Sequence, residues 1–407
     1  MEEHLKEQIS QASFLSKSAG RLMSIRKDLL YSTFKDVLPL RFNLLTQRIE
    51  NDGNAIDGDF FCTLYISIAE RCEIDISRQK AEDLALLIAR RHSYHPVRNY
   101  LNHLQKPLPE NQWSIISSCC FGTTDEMSNL HLQRQLIALV ARAMQPGCKV
   151  DTSLILHSDR QGIGKSTFWS ILGGEWFSDS LGDLRNVKDD ILQLHSAWIH
   201  EWGEIDRVMG KRDSESLKRF LSASNDDVRK PYGRAVERLQ RSCGIVGTTN
   251  RRDFITDFTG NRRFPIISID EVALDWVKDN RDAIWASALN AYQSGIVWHY
   301  NQEENDLMNQ EAHKFRAIDP LLEQLETWLE ENQQLDEIPV AYALEALGYV
   351  DEKRDVPTCR KMARHFRSLG WNPTPTRQRY SLPTGGKTDK TTGWCRPMPR
   401  ASTTNAQ

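Results

Sequence analysis

A lysine followed by a hydroxyl residue and preceded by spaced glycines can hold phosphate, and Gln161-Gly162-Ile163-Gly164-Lys165-Ser166-Thr167 has that order. Successive backbone N–H groups at a helix start converge on phosphate oxygens, glycine lets the backbone approach, and lysine neutralises charge. The hydroxyl after the lysine can ligate magnesium. Asp159 stands where the full pattern has glycine. Phosphoryl transfer also needs an acid near the metal and a group that orients the attacking water. Glu201 and Glu204, which bracket Trp202-Gly203, are placed for this, and their division of labour stays open. Gly247-Thr248-Thr249-Asn250 ends in an amide able to hold a lytic water. Arg262 and Arg263, on a Gly260-Asn261 turn, are both candidates for an arginine that reaches a neighbouring subunit's nucleotide. Such an arginine accelerates transfer by about 10³–10⁵.

Two basic regions point to nucleic acid. Between the acids and Asn250, Arg229-Lys230-Pro231-Tyr232-Gly233-Arg234 and Arg238 form a cationic turn with one aromatic, and Lys218 precedes it. Cations for phosphates and a ring for stacking suit single-stranded DNA. From Lys353 to Gln407 there are twelve Lys/Arg against two Asp/Glu, whereas Ala317 to Val350 holds no Lys or Arg. Arg360, Lys361, Arg364 and Arg367 fall on a predicted helix, three of them at three-to-four spacing on one face, suited to duplex phosphates.

These parts imply a set of elements. Ser153–His157, Ala197–Glu201, Gly244–Thr248 and Phe264–Ile269 read as buried strands, alternating with helices over Thr167–Leu172, Lys188–Leu194, Ser214–Ser222 and Arg281–Gln293. That alternation predicts an α/β P-loop core, residues 141–300, with a largely parallel sheet. Residues 1–140 read as a helical N-terminal region, with apolar spacing in Ala81–Arg90 and Leu136–Arg142. Residues 301–338 read as an acidic helical linker and 339–396 as a small winged-helix-like basic domain. That domain has helices at Val340–Gly348 and Thr358–Gly370, then strands around Gly385-Gly386. Residues 397–407 read as a disordered tail.

Composition is consistent with this. A chain of 407 residues exceeds the roughly 250 at which single cores stop growing, so several domains are expected. With 40% hydrophobic residues and no apolar run near the ~20 needed to span a bilayer, a membrane protein is excluded as an expectation. Met1-Glu-Glu-His-Leu-Lys shows no secretory signal, so a cytoplasmic location is expected. The eight cysteines make no C-x-x-C pair, which argues for reduced thiols and against a zinc module.

The ordered runs Gln161–Phe168, Leu172-Gly-Gly-Glu-Trp-Phe177, Trp198-Ile-His-Glu-Trp-Gly-Glu204, Leu217–Leu221, Arg229–Arg234, Gly247–Asn250 and Gly260-Asn-Arg-Arg-Phe264 resemble the virulence-associated E family. These are phage- and island-encoded replication ATPases akin to superfamily-3 helicases. The resemblance covers roughly residues 90–295. It implies an AAA+-like core, ATP and magnesium, a homo-hexameric ring and 3′-to-5′ movement on DNA. It also implies Lys165 and Ser166 as phosphate and magnesium ligands, Glu201 and Glu204 as the Walker B acids, Asn250 as sensor, and Arg262 or Arg263 as arginine finger. The leading expectation is an ATP-dependent DNA helicase or translocase of a mobile element. The alternatives are an ATP-gated DNA-binding initiator with little hydrolysis, and an NTPase acting on a protein partner.

Overall fold

The structure, a computed structural model, describes residues 39–56, 58–72, 76–182, 187–211, 214–228, 236–255, 261–315, 319–349 and 355–396. The chain divides into two compact units, one of residues 1–252 with 260–314, the other of 253–259 with 315–407.

The first unit opens with β1 (Leu40–Asn43), β2 (Arg48–Asn51) and β3 (Asn54–Ala55), then α1 (Gly58–Cys72), α2 (Arg78–Arg91) and β4 (Ser93–Tyr94). The strands form a sheet in the order β3-β2-β1-β4, so this region, read from the sequence as mostly helical, also holds a small sheet. Strands of two to four residues are too short for a period of two to register. Leu40 and Phe42 on β1 pack with Leu84, Ala85 and Ile88 on α2, giving the module its own core. Glu50 inside the sheet is buried, and Asn43 donates to it at 2.7 Å while Tyr94 donates to its other oxygen.

Next come α3 (Pro96–His103), α4 (Glu110–Trp113), α5 (Ile116–Phe121) and α6 (Glu126–Met144). His95 caps α3, its Nδ1 accepting the Arg98 N–H at 3.2 Å, with Pro96 in the first turn where no N–H is needed. Burial lowers the His95 imidazole to about 4. Asp125 caps α6 in the same way. The helix α6 is buried through Leu136, Ile137, Leu139 and Val140, so it sits within the core rather than beside it.

The central sheet follows with β5 (Ile155–His157), α7 (Lys165–Gly173), β6 (Phe177–Ser178), α8 (Val187–Leu194) and β7 (Ile199–Trp202). After it run α9 (Ile205–Lys211), α10 (Ser214–Ser222), β8 (Asn225–Val228), β9 (Glu237–Gln240), β10 (Gly244–Thr249), β11 (Ile266–Ser268), α11 (Leu274–Gln293) and α12 (Gln302–Ala312). Every pairing in the order β11-β5-β10-β7-β6 is parallel. This is a mixed α/β fold on a parallel sheet, as expected, with the edge strand β6 added. Strands β5, β7 and β10 are buried along their whole length, as a sheet covered on both faces requires. Trp198 and Trp285 meet at 4.3 Å between ring centroids, and their indole N–H groups donate to the Leu139 and Leu172 carbonyls at 2.9 Å.

The second unit contains α13 (Pro320–Glu331), β12 (Glu337–Pro339), α14 (Val340–Ala346), α15 (Val356–Ser368), β13 (Asn372–Pro373) and β14 (Gly393–Cys395). Its strands pair antiparallel in the order β12-β14-β13. Leu325, Ile338, Leu344, Met362, Phe366 and Trp394 form its core, so the acidic helix α13 is a wall of this unit. Between β13 and β14 an extended hairpin is held by isolated bridges at Gln378–Thr391 and Ser381–Lys387.

Candidate nucleotide-binding site

The sheet order places β10 between β5 and β7, and register pairs Leu156 with Thr248 and Glu201 with Val246. The carboxyl ends of these three strands therefore open onto one crevice, the usual ligand site of such sheets. The loop from β5 to α7 lies there. Gly162 (φ +74°) and Gly164 (φ +94°) occupy the left-handed region that favours glycine. At Gly164 a Cβ would also come within 3.0 Å of the Leu274 side chain, so that position is doubly restricted. Ile163 between them packs on the core and anchors the loop, while Gln161 and Thr167 are exposed. Asp159 has no left-handed backbone, which is why a non-glycine residue is tolerated there.

Around this loop the polar side chains converge. The buried Lys165 donates from Nζ to Asn250 Oδ1 at 2.7 Å and to the Arg160 carbonyl at 3.3 Å. Burial lowers its ammonium from the usual lysine range, and Glu201 partly opposes that. Ser166 and Thr248 each donate a hydroxyl to Glu201 Oε1 at 2.6 Å. Glu201 is only 1% exposed, and its Oε2 has no hydrogen-bond partner among the described residues. Burial pushes its carboxyl up, against the two hydroxyl bonds that favour the ionised form.

A buried carboxylate oxygen left unpaired beside a serine hydroxyl is a donor set for a hard cation. Among the described residues no group of three or more His, Cys, Asp or Glu could hold a metal. Glu201 Oε2 and the Ser166 hydroxyl fit an ion that takes one or two protein oxygens and completes its shell from phosphate and water, as magnesium does. The glycine loop, Lys165, Ser166 and Glu201 fit a magnesium nucleotide.

The second acid resolves differently. Glu204 lies in an exposed turn after β7 with φ +54°, an uncommon conformation for a residue with a Cβ. Two residues on, Asp206 accepts from Thr249 Oγ1 at 3.0 Å, which ties the start of α9 to the end of β10. Sequence reasoning missed Thr248, Thr249 and Asp206. Their adjacency depends on β10 lying beside β7, and only the threonine pair beside Asn250 signalled a polar strand end.

Arg262 and Arg263 form a 3-10 turn before β11, with Arg262 exposed and Arg263 Nε 3.4 Å from Ser222 Oγ. Strands β8 and β9 pair antiparallel from Asn225–Gln240 to Val228–Glu237, so the basic segment is a hairpin at its base. Arg229, Lys230, Tyr232 and Arg234 lie outside the described residues. Arg238 is exposed, 3.9 Å from Asp227, and Lys218 on α10 is half-buried. The hairpin's root is braced inside the unit, where Arg241 donates to both oxygens of the buried Asp226 at 2.7 and 2.8 Å and His195 Nε2 is 3.1 Å from Oδ2.

In the second unit Arg360, Arg364 and Arg367 are exposed along α15. Lys361 instead pairs with Asp319, the cap of α13, at 2.9 Å, and His365 lies 2.9 Å from the same carboxylate. Arg367 sits 5.5 Å over the Trp394 ring.

Residues 101–317, more than half of the chain, match the model of the virulence-associated protein E-like domain. The chain belongs to that family. The matched stretch starts in α3 and runs past α12, so it contains the whole parallel sheet and the glycine loop. Two solved structures of the NrS-1 C-terminal region in its apo form are similar to this virulence-associated E-like chain. They share 11% and 13% identity, cover 88% and 84% of this chain and 95% and 87% of theirs, and give TM-scores of 0.48 and 0.46. No curated protein matches the sequence. Among the described residues no helix is long and apolar enough to cross a membrane.

Proposed function

We propose that the chain is a P-loop ATPase of AAA+-like, superfamily-3 type that uses hydrolysis to move on DNA during replication of a phage or other mobile element. The observation that carries the reading is the meeting of Lys165, Ser166, Glu201 and Asn250 at one end of the parallel sheet, beneath a glycine loop that opens a helix.

In this reading the N–H groups from Gly162 to Thr167 and the Lys165 ammonium hold the β- and γ-phosphates. Ser166 and Glu201 hold Mg²⁺, which supplies charge neutralisation on the phosphate oxygens when bound. Asn250 orients the attacking water, and Glu204 or Asp206 accepts its proton. Arg262, the exposed member of the pair, reaches the nucleotide of a neighbouring subunit, which makes the working form a ring, taken here as a homo-hexamer. The β8–β9 hairpin faces single-stranded DNA, and the second unit, read as a winged helix, holds duplex DNA through Arg360, Arg364 and Arg367.

One feature favours the ATP-gated initiator as a second reading. The residue beside Glu201 is the buried Trp202, so the adjacent acid pair of a fast hydrolase is missing. A forked duplex with one labelled strand separates the two readings. A motor displaces the strand with ATP and magnesium, and Glu201→Gln does not. Tight DNA binding that depends on ATP, without displacement at any enzyme concentration, supports the initiator instead.

A further inference from the structure

Asp159 introduces a carboxylate into a loop read as a triphosphate cradle, where a negative charge opposes the ligand. It does not stand alone. Arg252 donates from Nε to Asp159 Oδ1 at 3.0 Å and from its terminal nitrogen to Oδ2, a bidentate pair. The buried His157 lies behind, its Nε2 3.5 Å from Asp159 Oδ1. Arg252 follows Asn250 by two residues, on the loop that leaves β10. That loop is thus joined to the phosphate loop twice, by Lys165–Asn250 and by Asp159–Arg252.

We propose that Asp159 and Arg252 form a latch that makes the site selective for a nucleoside triphosphate, with Arg252 held beside the phosphate loop as a cation for the terminal phosphate. The inference rests on the nucleotide-site reading above. Phosphate competes with Asp159 for the same planar guanidinium fork, and a fork matches both acceptors. A diphosphate leaves Arg252 on Asp159. A triphosphate brings a group charged enough to draw Arg252 across, so Arg252 contributes to triphosphate binding alone. Both side chains are well exposed, 55% for Asp159 and 70% for Arg252, so the guanidinium can swing without unpacking the core. The same exposure means that substitutions here leave the fold intact.

The test is equilibrium binding of fluorescently labelled ATP and ADP, with magnesium, to the full chain. The variants are Arg252→Ala, Asp159→Gly, the double substitution and Lys165→Ala. Arg252→Ala is expected to weaken ATP roughly tenfold, the scale of one charge-assisted contact, and ADP less than about twofold. Asp159→Gly is expected to tighten ATP. In that background, losing Arg252 matters more than the roughly tenfold of the wild type, because no carboxylate competes with the phosphate for its guanidinium. Equal loss for ATP and ADP, or no change for either, overturns the latch while Lys165→Ala still abolishes binding and upholds the nucleotide site. Failure of the wild-type protein to bind either nucleotide overturns both.

Discussion

Glu201 is held by two opposing effects. Burial favours its neutral form, whereas Ser166 and Thr248 each donate to its carboxylate. The net effect is a carboxyl pushed up from its ordinary range. A raised carboxyl contributes stability when protonated, at pH below its ordinary value, and loses it as pH rises through the folded value. At neutral pH an ionised Glu201 therefore costs stability. Glu201→Gln should raise the melting temperature at pH 7, with the gain shrinking toward acid pH, while lowering ATP turnover at least roughly a hundredfold. Calorimetry at two pH values and a steady-state assay check this, and a lower melting temperature at pH 7 would contradict the burial argument. At this scale the sequence was legible where chemistry is local. The loop from Gln161 to Thr167, Glu201 and Asn250 all stand at the crevice. Glu204 was less so, because a carboxylate three residues past a strand end has no fixed direction. Asp206, Thr248 and Arg252 were hidden because their partners lie far off in sequence.

Between elements, the Asp226–Arg241–His195 group ties the root of the β8–β9 hairpin to α8 and α10. Arg241 also donates to the Phe220 carbonyl, and the buried Arg142 reaches the Arg241, Val150 and Ala223 carbonyls. Burial alone would raise the Asp226 carboxyl, but hydrogen bonds from His195 and Arg241 and the Arg241 charge hold it down to about 2. A depressed carboxyl contributes stability above its ordinary value and loses it as pH falls through the folded one, so this brace weakens between about pH 4 and 2. Asp226→Asn leaves the Arg241 charge buried without its carboxylate and should cost about 3–5 kcal/mol in chemical denaturation, with a flatter acid limb. A change under about 1 kcal/mol would show that the brace is not structural. The long elements of the core were legible from their periodicity and burial runs, including α10 residue for residue. The four short N-terminal strands and β6 were not, since two to four residues carry no period and their pairing is set by distant neighbours.

For the whole molecule, the charge imbalance read along the chain resolves into a unit whose acidic helix α13 and basic helix α15 pack on one core, joined by Lys361 and Asp319. Arg360, Arg364 and Arg367 are exposed on α15. Converting Arg360 and Arg364 to Glu should weaken duplex DNA binding and reduce the salt slope by about 2, one for each phosphate no longer neutralised. An unchanged slope would assign that face to another role. The proposed coupling of a nucleotide site to DNA would be a property of the whole chain, and steady-state ATP turnover with and without single-stranded DNA, beside Lys165→Ala, tests it most directly. The account predicts magnesium-dependent turnover that DNA accelerates severalfold and that Lys165→Ala abolishes while the fold is kept. Turnover indifferent to DNA, or undiminished in Lys165→Ala, would contradict it.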